Sequence, residues 1–390
     1  MPVYACLLLA PSWPTGWSLT RPCSESGRVR PRRLSGRKGT TRMVSSVIRR
    51  YRLFSLLLCG ALAAVGAVGS SATAAPPTLQ RGDAAAGWLA RQMVDGERFE
   101  VSFDGLVFPD QGLTIDAVFA FAAAKVADEH AARATAWLAR PEILSGYVGD
   151  GAVEAYAGAT AKLALAVQVR GADPATFGGV DLVARLRGLQ APSGRFSDRS
   201  AYGDYSNAFS QSLALLALDR TPAGAPPVAV SFLAGSRCAD GGYPLLFDQV
   251  PCVSDVDATA LAVQALQATG RPIAAAAGLG WLAGVQDADG GFVNAGGEPN
   301  ANSTGLAGQA LRVGGRPVAE ARAKVFLLGL QIGCPGAAAD RGAIAYTPAG
   351  FDPSTAVRAT AQGVLGLTGA GFADLSSAGA RPAAPVLACR

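Results

Sequence analysis

Apolar segments recur along this chain with one dominant period. Trp88, Trp137, Arg185, Phe232, Trp281 and Phe326 occupy the same phase of successive segments, with gaps of 49, 48, 47, 49 and 45 residues. A period of that size marks stacked supersecondary units rather than one irregular domain. Each unit holds an apolar segment, such as residues 280–286 (GWLAGVQ), then a turn rich in Asp and Gly, then a second segment almost wholly of Ala, Leu and Val. The clearest second segment, residues 257–266, has nearly no polar face, which predicts a helix buried on both sides. One amphipathic and one apolar helix per unit predict an all-α chain with an outer and an inner ring, and six such hairpins suffice to close it. The ring is expected over residues 76–375, followed by an Ala- and Pro-rich tail over 376–390.

The first 75 residues follow another pattern. Residues 1–42 are basic, Pro-rich and aperiodic, either an over-extended start ahead of Met43 or a disordered arm. Arg49, Arg50 and Arg52 then precede an apolar run from Leu53 to Val68, and Ala72-Thr73-Ala74 offers a small-x-small cleavage site. That is the pattern of a secretory signal peptide over residues 43–75. Arg52 stands where a twin-arginine signal wants an apolar residue, which favours the general secretory route.

Leader removal reverses the charge. The chain is formally +5, but residues 1–74 carry 11 of its 34 Lys and Arg and only Glu25 among its 29 acids. The remainder holds 23 basic and 28 acidic groups, a balance that argues against a nucleic-acid partner. With no second long apolar stretch, no stable membrane span is expected after leader removal. The expected product is secreted, extracytoplasmic and soluble.

Cysteine usage agrees with export. Cys6, Cys23 and Cys59 leave with the leader, and Cys238, Cys252, Cys334 and Cys389 remain. Four cysteines allow three connectivities. The expected pairs are Cys238–Cys252, stapling the inter-helix loop of the fourth unit at roughly 3 kcal/mol, and Cys334–Cys389, tying the tail to the sixth. The spacings match no zinc pattern and the sole histidine, His130, is remote in sequence, so neither a metal nor a cofactor is expected.

The turns carry a family resemblance. Residues 285–292 (VQDADGGF) are similar to the glutamine, Asp-Gly-Gly, aromatic repeat of the terpenoid cyclase and protein prenyltransferase superfamily, and residues 190–196 (QAPSGRF) and 240–243 (DGGY) are eroded copies. Paired glycines allow positive backbone angles in the turn, and the aromatic folds back over the hairpin end, so the motif is structural. The resemblance implies an α/α toroid with a central cavity, and function must be sought in that lumen.

Branches of the superfamily differ in what they demand of the lumen. Protein prenyltransferases need a zinc held by Asp, Cys and His, and His130 lies in a polar segment between units. Class II terpene cyclases protonate an alkene from an Asp-x-Asp-Asp-Thr-Ala motif, which residues 255–260 (DVDATA) resemble at every position but one. Asp257 matches the proton donor, Asp255 the first acid, and Ala258 replaces the last. A simpler reading makes Asp257 an N-cap, with Asp116, Asp204, Asn302 and Thr355 at equivalent helix starts.

The inner helix starts also resemble those of the cobalamin carriers, intrinsic factor and the transcobalamins. Carried over by position, the resemblance implies ligand contacts from Tyr205, Asp257, Thr259, Asn302 and Thr304 to an amide-rich ligand. Those carriers close over their ligand with a β-rich domain. Only Ala- and Pro-rich sequence follows Gly369 here, so the resemblance implies either a separate β-rich lid protein as partner or a ligand bound with one face open. Six-hairpin barrels host glycosidases too, for which Asp204 and Asp257 would be the acids and Tyr202, Tyr205, Tyr243 and Phe292 the stacking rings. The expectation is an exported, non-catalytic toroid binding a large small-molecule ligand of corrinoid-like kind, with cyclisation through Asp257 as the alternative.

Overall fold

The computed structural model describes residues 75–294 and 297–389, so the expected leader and the segment before it lie outside the described residues. Six helices form an inner ring: α2 (Gln111–Ala124), α5 (Ala157–Val169), α7 (Ala208–Asp219), α9 (Val256–Ala268), α11 (Ala301–Val313) and α13 (Pro353–Thr368). Each packs on the next in that order, and α13 returns onto α2. Outside them run α1 (Arg81–Arg91), α3 (Asp128–Leu138), α6 (Leu182–Arg187), α8 (Pro227–Gly235), α10 (Pro272–Val285) and α12 (Pro317–Leu330), with α4 (Pro141–Val148) inserted before α5. All six periodic anchor residues sit on the outer helices.

Burial follows the two patterns expected of the rings. Helix α9 buries every residue from Ala258 to Leu266. By contrast α12 buries only Ala323, Phe326, Leu327 and Leu330, one stripe of an amphipathic helix. Phe196, Tyr243 and Phe292, the turn aromatics, are fully buried.

Each turn also docks on the next outer helix. Gln286 Nε2 donates to the carbonyls of Gly290, in its own turn, and of Ala319, in α12, both at 2.9 Å. In the last unit Gln331 Nε2 donates to Gly342 O at 3.0 Å and to Arg81 O of α1 at 2.9 Å, which joins the sixth unit to the first. Gln211 of α7 does the same between Gly194 and Ala229, at 3.0 Å each. The two glycines of the motif have different jobs. Gly290 has φ +93°, and a Cβ there would stand 2.3 Å from the Arg322 carbonyl oxygen. Gly291 has no positive φ; a Cβ would instead meet the Phe326 ring at 2.8 Å.

Short strands complete the ring. β1 (Pro77–Thr78) pairs in parallel with β6 (Val386–Leu387), β2 (Glu100–Phe103) forms a hairpin with β3 (Leu106–Pro109), and β4 (Tyr243–Pro244) pairs antiparallel with β5 (Ser254–Asp255). The segment after α13 crosses the C-terminal ends of the inner helices. Phe372 N–H donates to Gln264 Oε1 at 3.0 Å, Ser377 N–H to Val169 O at 2.8 Å, and Arg220 Nη2 to the carbonyls of Phe372, Ala373 and Leu375. Both expected disulfides are present, Cys238–Cys252 and Cys334–Cys389.

Gly290→Ala is expected to lower stability by about 2–4 kcal/mol, through strain and the carbonyl clash. Gly280→Ala, in α10 with nothing within 4 Å of its Cβ position, is expected to raise it by about 0.5–1 kcal/mol. Urea midpoints of the two variants check both signs.

Candidate functional site

Five of the six inner helices start on a side-chain cap. Asp110 accepts from Leu113 N–H at 2.8 Å, Asp255 from Ala258 N–H at 2.8 Å, Asn300 from Ser303 N–H at 3.0 Å and Asp352 from Ser354 N–H at 2.9 Å; Asn207 forms a capping box with Ser210. Only α5, entered from Tyr156, lacks one. The expected caps are therefore displaced. Asp257, Asn302, Asp116 and Thr355 lie inside their helices, and Asp204 precedes its own, accepting from the N–H groups of Asp198 and Ser206 at 2.9 Å each.

Counting from the cap tells which side chains face the lumen. The second residue after each start is Gly112, Gly158, Phe209, Asp257, Asn302 and Ser354 in turn. The sixth is Asp116, Lys162, Leu213, Leu261, Leu306 and Arg358. All twelve line one central cavity of about 460 Å³, open at the capped ends of the inner helices.

The lower tier is split in half. Helices α13, α2 and α5 contribute Arg358, Asp116 and Lys162, whereas α7, α9 and α11 contribute three leucines. Lys162 Nζ pairs with Asp116 Oδ1 at 2.5 Å, and Arg358 pairs with Asp110 at 2.9 Å and stands 3.8 Å from Asp116 Oδ2. Below, Phe119 and Phe372 meet edge to face at 5.2 Å as an apolar floor.

Asp257 sits three helices round the ring from Asp116, on the opposite wall. Asn294 Nδ2 donates to its Oδ2 at 2.8 Å, while its Oδ1 is buried and makes no hydrogen bond. Burial first, and then the neighbouring Asp255 charge, push the Asp257 carboxyl up to about 7; Ser303 and Asn294 ease its charged form only in part. Burial also raises Asp255, against the stabilising Ala258 N–H, and raises Asp198, which accepts from Ala157 N–H at 2.7 Å. The two acids of the 255–260 motif thus divide the work, Asp255 capping the helix and Asp257 facing the cavity.

Of the other expected contacts, Tyr205 lies at the entrance, 55 % exposed, and Asn302 lines the wall beside Asp257. Thr259 and Thr304 do not line the cavity. Both are fully buried, with hydroxyls that accept from the N–H groups of Tyr243 (2.8 Å) and Phe292 (2.9 Å), fixing the turn to its inner helix. Thr114 and Thr360 hold Phe99 and Ile344 in the same way. The carbohydrate arrangement fails on placement. Asp204 is paired with Arg195 at 3.3 Å away from the cavity wall, and Tyr243 and Phe292 are sealed in the core. Lys162, Arg358 and Asn294 were not anticipated, and Asp116 only as a cap. The signal for three of them was a lone charge inside an otherwise apolar inner helix. Among the described residues no three His, Cys, Asp or Glu side chains are grouped to hold a metal ion.

No protein-family model and no curated protein matches the chain. Solved structures do. The chain is similar to a protein from Actinoplanes (TM-score 0.52, 18 % identity over 74 % of this chain and 98 % of that one). It is similar also to the unsaturated glucuronyl hydrolase of Bacillus sp. GL1 (0.50, 12 %, 74 % and 95 %). A third likeness is to the ent-copalyl diphosphate synthase of Streptomyces platensis (0.43, 17 %, 66 % and 51 %), so the chain spans about half the length of that synthase. The fold is an α/α toroid. The likeness to the Actinoplanes protein and to the hydrolase, at 18 % and 12 % identity, is one of fold alone.

The raised Asp257 value makes a stability prediction. Its folded value of about 7 lies above the ordinary 3.8, so between those limits the native state holds a proton that the unfolded chain has lost. Stability therefore falls as pH rises through that window and stays low above it. Asp257→Asn removes the buried charge, and is expected to melt several degrees above wild type at pH 8 and level with it near pH 4, as read by thermal unfolding across that range.

Proposed function

We propose that the lumen binds an amphipathic small molecule and that the chain does no chemistry on it. Three buried acceptor oxygens without hydrogen-bond partners support this reading most: Asp116 Oδ2, Asp257 Oδ1 and Asn302 Oδ1, all on the wall of one cavity. A buried acceptor left unpaired costs about 1–3 kcal/mol, and a ligand bearing O–H or N–H groups relieves that cost. The leucine half and the Phe119–Phe372 floor receive an apolar body, and the volume falls within the range of about 300–1,000 Å³ usual for small-molecule sites. A corrinoid carries amide donors of the right kind but is too large to enter whole, which leaves room for a separate β-rich lid over the mouth. Export as the setting rests on the leader-like segment and on two disulfides, which belong to oxidising compartments. No described helix is long and apolar enough to cross a membrane.

A second reading rests on Asp257 itself. A carboxyl raised to about 7 above an apolar floor suits a general acid, and class II cyclisation would use it to protonate an alkene carbon. Ala258 is buried outside the cavity wall, so position 258 supplies no group to such a step.

Thermal-shift measurements against corrinoids, with polyisoprenoids incubated in parallel and analysed for cyclised products, separate the two. The binding reading expects a raised melting temperature, an affinity at least about tenfold weaker in Asp257→Asn, and no cyclised product. Cyclised product that disappears in Asp257→Asn would replace it with the catalytic reading.

A further inference from the structure

We infer that the ligand of this cavity is an organic cation, an ammonium group carried on an apolar body; the inference rests on the binding reading above. The first ground is how charge is distributed between the two ends of the ring. The loops that lead into the inner helices (92–110, 149–156, 188–207, 236–255, 286–300 and 331–352) hold seventeen acidic and five basic residues, a balance of −12. The loops and tail at the other end (125–127, 170–181, 220–226, 269–271, 314–316 and 369–389) hold three acidic and six basic ones. Helix dipoles do not undo this contrast. Inner helices present N-termini of about +0.5 charge at the mouth, and outer helices present C-termini of about −0.5 beside them. The acids of the mouth thus set the field that an entering molecule meets, and a charged cleft concentrates ions of opposite sign.

The second ground lies inside the cavity and is independent of the loops. Asp116 is only 8 % exposed, yet its Oδ2 makes no hydrogen bond. Its nearest cation on that side, Arg358, spends its own short contact on Asp110 and stands 3.8 Å away. Across the ring, Asp257 Oδ1 is likewise buried and unpaired. Five aspartates, the helix caps Asp110 and Asp255 among them, line the cavity against Lys162 and Arg358 alone. An ammonium N–H satisfies such oxygens and offsets their charge. A carboxylate or phosphate meets the repulsion of the aspartates around it, and an alcohol meets the hydrogen-bond need while gaining nothing from the field. The burial that raises Asp198, Asp255 and Asp257 is also what a bound cation would counteract.

Three amphiphiles with one tail test this on the full-length protein: n-decylammonium, 1-decanol and n-decanoate, titrated calorimetrically at low and high salt. Decylammonium is expected to bind at least about tenfold tighter than decanol, decanoate more weakly than either, and the gap to narrow at high salt as the mouth field is screened. Asp116→Asn should narrow the gap at low salt as well. Because that residue is ion-paired, Asp257→Asn serves as a second variant with the same expected direction and an intact fold. Equal affinities for decylammonium and decanol would overturn the cation inference and leave the binding reading standing. Failure of all three to bind would overturn both.

Discussion

A glutamine amide that spans two hairpins holds this ring shut. Gln286 and Gln331 each reach from their own turn to a main-chain carbonyl of the next outer helix, and for Gln331 that helix is α1, the first of the ring. An inner helix that is apolar all round, such as α9, is stable only with neighbours on both flanks. Closure is therefore a requirement of the sequence, since an open ring would leave two such flanks in water. The turn glycine belongs to the same constraint: at Gly290 the backbone must approach Arg322 more closely than any side chain allows.

Closure fixes the height of every inner helix, and from that height the site follows. With all six starting at one end, the second and sixth residues after each start form two tiers of the lumen wall. The same rule puts Asp257 above Leu261 on one wall and Asp116 between Lys162 and Arg358 on the other. The acidity of the mouth has a related origin. Asp110, Asp255 and Asp352 serve as caps, so the residues that start the helices also charge the entrance.

The architecture was legible in the sequence because its signals are local: the spacing of Trp88, Trp137 and their successors, the apolar 257–266 segment, and the Asp-Gly-Gly turns. The disulfides were legible because each pair closes a loop of one unit or ties down its tail. The site was legible in part. Asp257 and Asn302 were found, but the motif that pointed to them did not tell a cap from a lumen residue. That difference depends on where the helix begins, and two residues of register decide it. Thr259 and Thr304 looked like ligand groups because they are polar and near a helix start, yet each is committed to a turn N–H. Lys162 and Arg358 were missed because their meaning depends on Asp116, which lies far away in sequence and comes between them only when the ring closes.

Everything proposed for the lumen requires that Asp257 stand desolvated on the cavity wall rather than in bulk water. Its ionisation is directly measurable, by carboxyl carbon NMR of the labelled protein with Asp257→Asn to assign the signal. A midpoint near 7 is expected, moving when a ligand binds. A midpoint at the ordinary 3.8, indifferent to every ligand offered, would mean that water reaches this carboxyl freely and that the lumen is not the site.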